Sequence, residues 1–283
     1  MRVGVNGTRI WFDVEGAGLV PDGKRMRRRP TLVLLHGGPG FDHSYFKPSH
    51  SALIDKVQLL YVDHRGNGRS DYSDPAFWTL AQWADDLRAL FDLLEIENPI
   101  VLGLSFGGFV AQSLAVRHPR SVGKLILSST AARFRKDRAI AAFGEMFGAQ
   151  VGEVSSAFWN DPADEEKVQK YLDVCFPLYN PTPRDADTAA RSTFNPAMLA
   201  HFFRQDGEGH RFDFRPRLTN ISCPTLVLAG ALDPVTTMAD AEDMVASLPA
   251  QHVRFERFAE GGHGVHHDAP DRYFALLREF IAT

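Results

Sequence analysis

The strongest constraint on this chain is an alternation. Apolar runs of strand length stand at 31–35, 57–62, 100–104, 124–128, 225–229 and 253–258. Most are nearly continuous rather than alternating apolar with polar, as parallel strands buried on both faces require. Helical patterns lie between them. Thr79 is placed to cap a helix whose Leu80, Trp83, Ala84, Leu87, Leu90, Phe91 and Leu94 fall on one stripe. Further helices are expected over 106–117, ending near His118-Pro119, and over 238–247 and 272–281. Strand and helix in alternation predict an α/β fold with a mainly parallel sheet. At the N-terminus, Asn6-Gly7 between two short β-like runs predicts a hairpin. The basic, Gly- and Pro-containing stretch 16–30 is expected to be a solvated connector.

One region breaks the alternation. From 131 to 217 no clear buried strand occurs, and helix formers and aromatics are interrupted by Asp161-Pro162, Phe176-Pro177 and Asn195-Pro196. It carries too many aromatics, among them Phe158, Trp159, Tyr171, Phe202 and Phe203, to stay unpacked as a linker. The expected organisation is therefore a core of 1–130 and 218–283 with a helical lid over 131–217. Formal net charge is −4, so no global basic field points to nucleic acid. No apolar stretch approaches the ~18 residues of a membrane span, and Met1 to Gly7 lacks the apolar region of a secretory signal. Two cysteines, Cys175 and Cys223, exclude a disulfide scaffold. A cytoplasmic protein acting on a small molecule, without a membrane or nucleic-acid partner, is expected. Oligomeric state has no signature in the sequence.

The chemistry centres on Gly103-Leu104-Ser105-Phe106-Gly107-Gly108, a G-x-S-x-G pattern between an apolar strand and a helix. A serine on such a tight strand-to-helix turn stands clear of the sheet, with the free N–H groups of the helix behind it. The competing reading is a serine that merely caps the helix beside packing glycines. His36-Gly37-Gly38-Pro39-Gly40 follows another strand end. Acyl transfer creates an oxyanion, which needs donors already aimed at it. The N–H groups of Gly38 and Phe106 are the expected oxyanion hole. His36 is expected to brace this loop rather than to act as base.

A serine hydroxyl needs a base to remove its proton. Asp233 and His263 each follow a strand, in the chain order serine, acid, histidine, and at the edge where α/β sheets collect ligands. Asp233 would orient the imidazole, and His263 would take the proton of Ser105. Asp240, Asp243 and Asp268 compete for the acid role, and His252, His266 and His267 for the base. His263, His266, His267 and Asp268 have no recognised zinc spacing, so neither metal nor cofactor is expected.

These motifs resemble the α/β-hydrolase superfamily. The H-G-G-P-G loop, together with Asp63-His64-Arg65-Gly66-Asn67-Gly68-Arg69-Ser70, resembles the proline iminopeptidase branch in particular. The resemblance implies an α/β-hydrolase fold and serine hydrolase chemistry. Related esterases, amidases and lactonases share the loop. Two departures matter. Phe106 stands where family members usually carry tryptophan. Leu199 stands in Met198-Leu199-Ala200-His201-Phe202-Phe203 where a family segment has glutamate before the histidine–aromatic pair. An ammonium buried without a carboxylate partner is expensive. A neutral ester, lactone or amide therefore suits this lid better than a free amine, with Phe202, Phe203 and Glu208 as candidate substrate contacts. The alternatives are a non-peptidase esterase or lactonase, or a small-ligand receptor that uses the triad slowly. Dehalogenation or epoxide opening calls for aspartate at the elbow, where Ser105 stands.

Overall fold

The structure is a computed structural model and describes residues 1–183 and 185–283. The chain runs β1 (Arg2–Val5), β2 (Thr8–Glu15), β3 (Leu19–Asp22), β4 (Arg25–Arg28), β5 (Thr31–Leu35), β6 (Gln58–Asp63), α1 (Leu80–Leu93), β7 (Ile100–Leu104), α2 (Phe106–Arg117) and β8 (Lys124–Ser128). Helices follow: α3 (Lys136–Phe147), α4 (Ala149–Asn160), α5 (Glu165–Val174), α6 (Ala186–Arg191), α7 (Pro196–Phe203) and α8 (Arg215–Leu218). Among the described residues this stretch contains no strand. The chain closes with β9 (Thr225–Gly230), α9 (Met238–Ser247), β10 (Val253–Phe258), α10 (Val265–Asp268) and α11 (Pro270–Ala282).

Eight strands form one sheet in the order β1-β2-β6-β5-β7-β8-β9-β10. From β6 to β10 all neighbours are parallel, and only the β1–β2 and β2–β6 pairs are antiparallel. Alternate residues of each central strand feed two cores. Val33, Leu35, Val101, Leu125 and Leu127 pack on one face with Trp83, Phe109, Leu114, Phe143 and Phe202. Leu32, Leu34, Leu102 and Ile126 pack on the other with Tyr273 and Leu277. The continuous apolar runs are explained by this double burial.

Local signals act as the sequence indicated. Thr79 accepts a hydrogen bond from the Gln82 N–H at 3.1 Å and caps α1. Asn6 and Gly7 take positive φ of 46° and 74° in the β1–β2 turn. The stretch 16–30 differs from expectation, because β3 and β4 pair within it around Gly23. Their residues bury almost nothing, with Leu19 54% and Met26 59% exposed, so backbone pairing and an exposed Asp22–Arg27 ion pair form this hairpin and no apolar pattern announces it. The last helix also begins earlier than expected, at Pro270, which suits the first turn where no N–H partner is needed.

Parallel strands put their C-terminal ends at one sheet edge. The segments after β5, β7, β9 and β10 therefore meet there, and the helices between β8 and β9 supply residues that face them.

Candidate active site

Ser105 sits between β7 and α2 with φ 53° and ψ −118°. A non-glycine residue in this region costs of order 1–3 kcal/mol, and surrounding bonds must hold it. Its N–H donates to the Ser128 carbonyl at 3.0 Å, and its carbonyl accepts from Gly108 N–H at 2.8 Å and from the Thr130 hydroxyl at 2.7 Å. A Cβ on Gly107 would collide with the Leu35 carbonyl, so the turn requires glycine there. The Ser105 hydroxyl makes no cap bond to α2, which removes the capping reading.

Instead the hydroxyl lies 2.9 Å from His263 Nε2. His263 Nδ1 lies 2.9 Å from Asp233 Oδ2. Asp233 is buried, and its other oxygen accepts from the N–H groups of Val235 at 2.8 Å and Thr236 at 3.0 Å. The Thr236 hydroxyl donates to Asp233 Oδ2 at 2.8 Å. Sequence reasoning missed Thr236, whose only signal was its place three residues after the acid. Tyr179 holds His263 through both its backbone and its ring. The His263 N–H donates to the Tyr179 carbonyl at 2.7 Å, and the Tyr179 ring meets the imidazole edge-on at 5.2 Å. Asp268 accepts from Gly262 N–H at 2.7 Å and from Asn180 Nδ2 at 2.7 Å. Asp268 therefore shapes the histidine loop and does not meet the imidazole as an acid.

Across the serine lies the loop after β5. Gly38 has φ 136°, and a Cβ there would fall 3.0 Å from Gly40 N, so this turn also requires glycine. The Phe106 N–H opens α2 and is among the first-turn donors that a helix leaves without an internal partner. The Phe106 ring points away, edge-on to Trp83 and Phe202. His36 is fully buried, with Nδ1 2.8 Å from the Gly37 carbonyl and Nε2 accepting the His64 N–H at 3.2 Å. Burial pushes its pKa down, so a neutral imidazole ties the loops after β5 and β6. Asn67 Oδ1 accepts the Gly40 N–H at 2.7 Å, and Asp63 Oδ2 accepts the Arg69 N–H at 2.9 Å. Arg65 and Asp86 form a buried forked pair at 2.7 Å. The segment from Asp63 to Ser70 is thus a hydrogen-bonded brace.

Ser105 and His263 open onto a cavity of about 500 Å³. Phe134, Phe158, Trp159, Tyr171, Leu199 and Phe203 line part of it. Lys47, Ser49, Asp185, Thr188 and Ser192 line another part.

The family model for the alpha/beta hydrolase fold matches residues 30–270. The chain belongs to the α/β-hydrolase fold family. It is 28% identical over 267 residues to the proline iminopeptidase of Levilactobacillus brevis, covering 89% of this chain and 88% of that protein. It is 25% identical over 261 residues to 3-oxoadipate enol-lactonase 1 of Acinetobacter baylyi, covering 89% and 88%. The solved proline iminopeptidase of Mycobacterium smegmatis superposes with a TM-score of 0.79 at 23% identity, covering 100% of this chain and 97% of that one. This α/β-hydrolase is therefore an enzyme of a hydrolytic family, similar to the proline iminopeptidase branch.

Within the hydrolase, the candidate lid contacts separate. Phe203 lines the cavity. Phe202 is fully buried beneath it, edge-on to Phe106 at 5.3 Å, and does not reach the lining. Glu208 is also outside the lining, and its Oε2 accepts the Leu80 N–H at 2.7 Å at the start of α1. Burial pushes the Glu208 pKa up. The other candidate acids and bases do not join the contacts from Ser105 to Asp233. Asp240 closes a capping box on α9 with Thr237, and Arg138 pairs with both Asp240 and Asp243. His252 N–H donates to the Pro249 carbonyl on the loop before β10. His266 and His267 line the cavity, where His267 Nε2 lies 2.9 Å from the Pro183 carbonyl. Among the described residues, no group of three or more His, Cys, Asp or Glu is arranged to hold a metal ion. No described helix is long and apolar enough to cross a membrane.

Proposed function

We propose that this α/β-hydrolase cleaves a neutral acyl ester, lactone or amide through an acyl-enzyme on Ser105. Ser105 Oγ attacks the substrate carbonyl carbon while His263 Nε2 takes the hydroxyl proton. Asp233 holds the imidazole in the tautomer that presents Nε2 as acceptor, and stabilises the imidazolium that forms. The N–H groups of Gly38 and Phe106 receive the developing oxyanion. Collapse expels the alcohol or amine, which takes the proton from His263. A water then attacks the acyl-enzyme with His263 as base, releasing the acid and restoring Ser105. The segment 131–217 acts as the lid that sets substrate size and polarity.

The observation that carries this reading is the unbroken pair of 2.9 Å contacts from Ser105 through His263 to Asp233 at the wall of a largely apolar cavity. The test is turnover of a p-nitrophenyl ester. Rapid multiple turnover that disappears in Ser105→Ala supports it, while a single slow turnover favours the receptor alternative. The unpaired Cys175 and Cys223 support a reducing, cytoplasmic setting.

A second reading, release of N-terminal proline, is favoured by the similarity to proline iminopeptidases. Against it stands Leu199 in the cavity wall. Among the described lining residues the carboxylates beyond the Asp233 relay are Asp42 and Asp185. Asp42 accepts from Arg69, Ser44 and Thr193, and Asp185 accepts from Thr188, so neither is idle. Assaying prolyl-β-naphthylamide beside neutral esters and lactones separates the readings, and a strong preference for the prolyl amide would overturn the neutral-acyl assignment.

A further inference from the structure

The loop that carries Gly38 is matched residue for residue to the segment between α6 and α7. Gly40, Phe41 and Asp42 meet Asn195, Phe194 and Thr193, in antiparallel order. The Asn195 N–H donates to the Gly40 carbonyl at 2.9 Å. The Phe41 and Phe194 rings stack at 4.7 Å. Asp42 Oδ2 accepts from the Thr193 N–H at 3.0 Å and from the Thr193 hydroxyl at 2.9 Å. The approach is close, since a Cβ on Gly40 would fall 2.6 Å from the Asn195 carbonyl. The Gly40 N–H donates to Asn67 Oδ1 at 2.7 Å, so both backbone groups of Gly40 are engaged. Asn195 directly precedes α7, where an asparagine side chain ordinarily accepts an N–H of the helix. It makes no such cap bond. Its Nδ2 donates instead to the Gly66 carbonyl at 2.9 Å, in the brace after β6. Asn195 is buried and stands outside the cavity lining.

We propose that Asn195 is a positioning residue for the oxyanion hole, tying the segment between α6 and α7 to the loop that aims the Gly38 N–H. The inference rests on the acyl-enzyme reading and adds a residue that sets its rate without touching substrate. An oxyanion donor is effective only when it already points where the charge develops. Gly38 lies two residues before Gly40, so a shift of Gly40 re-aims the Gly38 N–H. Asn67 fixes the N–H of Gly40 and Asn195 fixes its carbonyl. The second bond is only as firm as the backbone of Asn195, and the Gly66 carbonyl supplies that anchor across 129 residues of sequence. A cap on α7 would have served the helix alone. The bond to Gly66 instead makes Asn195 a bridge between the loops after β5 and β6. Loosening that bridge misplaces a donor and costs rate, while the cavity wall that selects substrate stays as it is.

The experiment compares Asn195→Ala with the wild-type enzyme on p-nitrophenyl esters of several acyl groups, and on an alkylboronic acid as inhibitor. Boron takes the Ser105 oxygen as its fourth ligand while His263 takes the hydroxyl proton, and a boron-bound oxygen then occupies the oxyanion hole. Asn195→Ala should lower kcat by about thirtyfold with KM held within about twofold, and should weaken boronic acid binding by a similar factor. The dissociation constant does not depend on the fraction of active protein, so misfolded enzyme cannot imitate this pair of losses. Ratios among the acyl groups should stay at their wild-type values. A wild-type kcat, a loss carried by KM, an altered acyl preference, or a fall in kcat with boronic acid binding unchanged would each overturn the proposal while leaving the hydrolase reading intact. A wild-type enzyme with neither Ser105-dependent turnover nor boronic acid binding would overturn both. Should Asn195→Ala not fold, Thr193→Val decides, because it removes only the hydroxyl bond to Asp42. It should lower kcat and boronic acid affinity together by about threefold with KM held. No change in either would refute the coupling.

Discussion

The sheet edge and the helices above it solve different problems. At the edge, hydrogen bonds hold the reacting side chains, from Ser105 through His263 to Asp233, and glycines are required by contact, as at Gly107 against Leu35 and Gly38 against Gly40. In the helices between β8 and β9, side chains pack ring on ring, with Phe158 stacked on Tyr171 at 3.9 Å and Trp159 against Phe203 at 5.1 Å. Hydrogen bonds fix direction, which reaction geometry needs. Ring packing fixes volume and apolarity, which selects a substrate. The comparison implies that changes at the edge should abolish turnover with little change of preference, whereas changes in the helices should alter preference first.

The sharpest test is Ser105→Ala. Loss of the hydroxyl should lower kcat by about a millionfold with the melting temperature held or raised, because the strained position keeps its backbone bonds. Residual turnover near the wild-type rate would break the assignment of chemistry to the edge. Asp233→Asn should cost about 10⁴-fold in kcat, since an amide stabilises the wrong imidazole tautomer. Circular dichroism should show the fold unchanged. In the helices, Phe203→Ala removes a ring packed on Phe134, Trp159 and Phe202. It should cost about 3–5 kcal/mol in denaturant unfolding. Leu199→Glu puts a carboxylate on the cavity wall and should raise the ratio of prolyl amide to neutral ester turnover by about tenfold, without restoring or removing Ser105 dependence. An unchanged ratio would deny the helices their role in selection.

The smallest effect is at the seam between the two regions, where Glu208 holds the start of α1. Burial raises its pKa in the folded protein, so the folded state keeps its proton to higher pH than the unfolded chain. Stability from this group is therefore greatest at acid pH and falls as pH rises from the ordinary glutamate range through the raised folded value. Glu208→Gln should flatten that part of the stability–pH curve. Denaturant midpoints of both proteins across that range provide the check, and an equal slope in the two would contradict it.

Legibility follows the same division. Ser105 could be found from five residues because its turn allows few others. Asp233 and His263 could be found because each follows a buried strand. The β3–β4 hairpin could not be read, since its strands bury no face. Phe202 and Phe203 look alike in sequence, yet one packs beneath the cavity and the other lines it. Glu208 offers the same carboxylate whether it meets a substrate or a backbone N–H.

By itself, then, the sequence determined the alternating scaffold, the edge where its loops gather and the three side chains that meet there. These are matters of local backbone geometry and of residues bound to strand ends. Only the tertiary structure decided which aromatics of the insertion face the cavity. The physical reason is that apolar periodicity records that a face is buried but not what it is buried against, and that partner comes from helices far away in the chain.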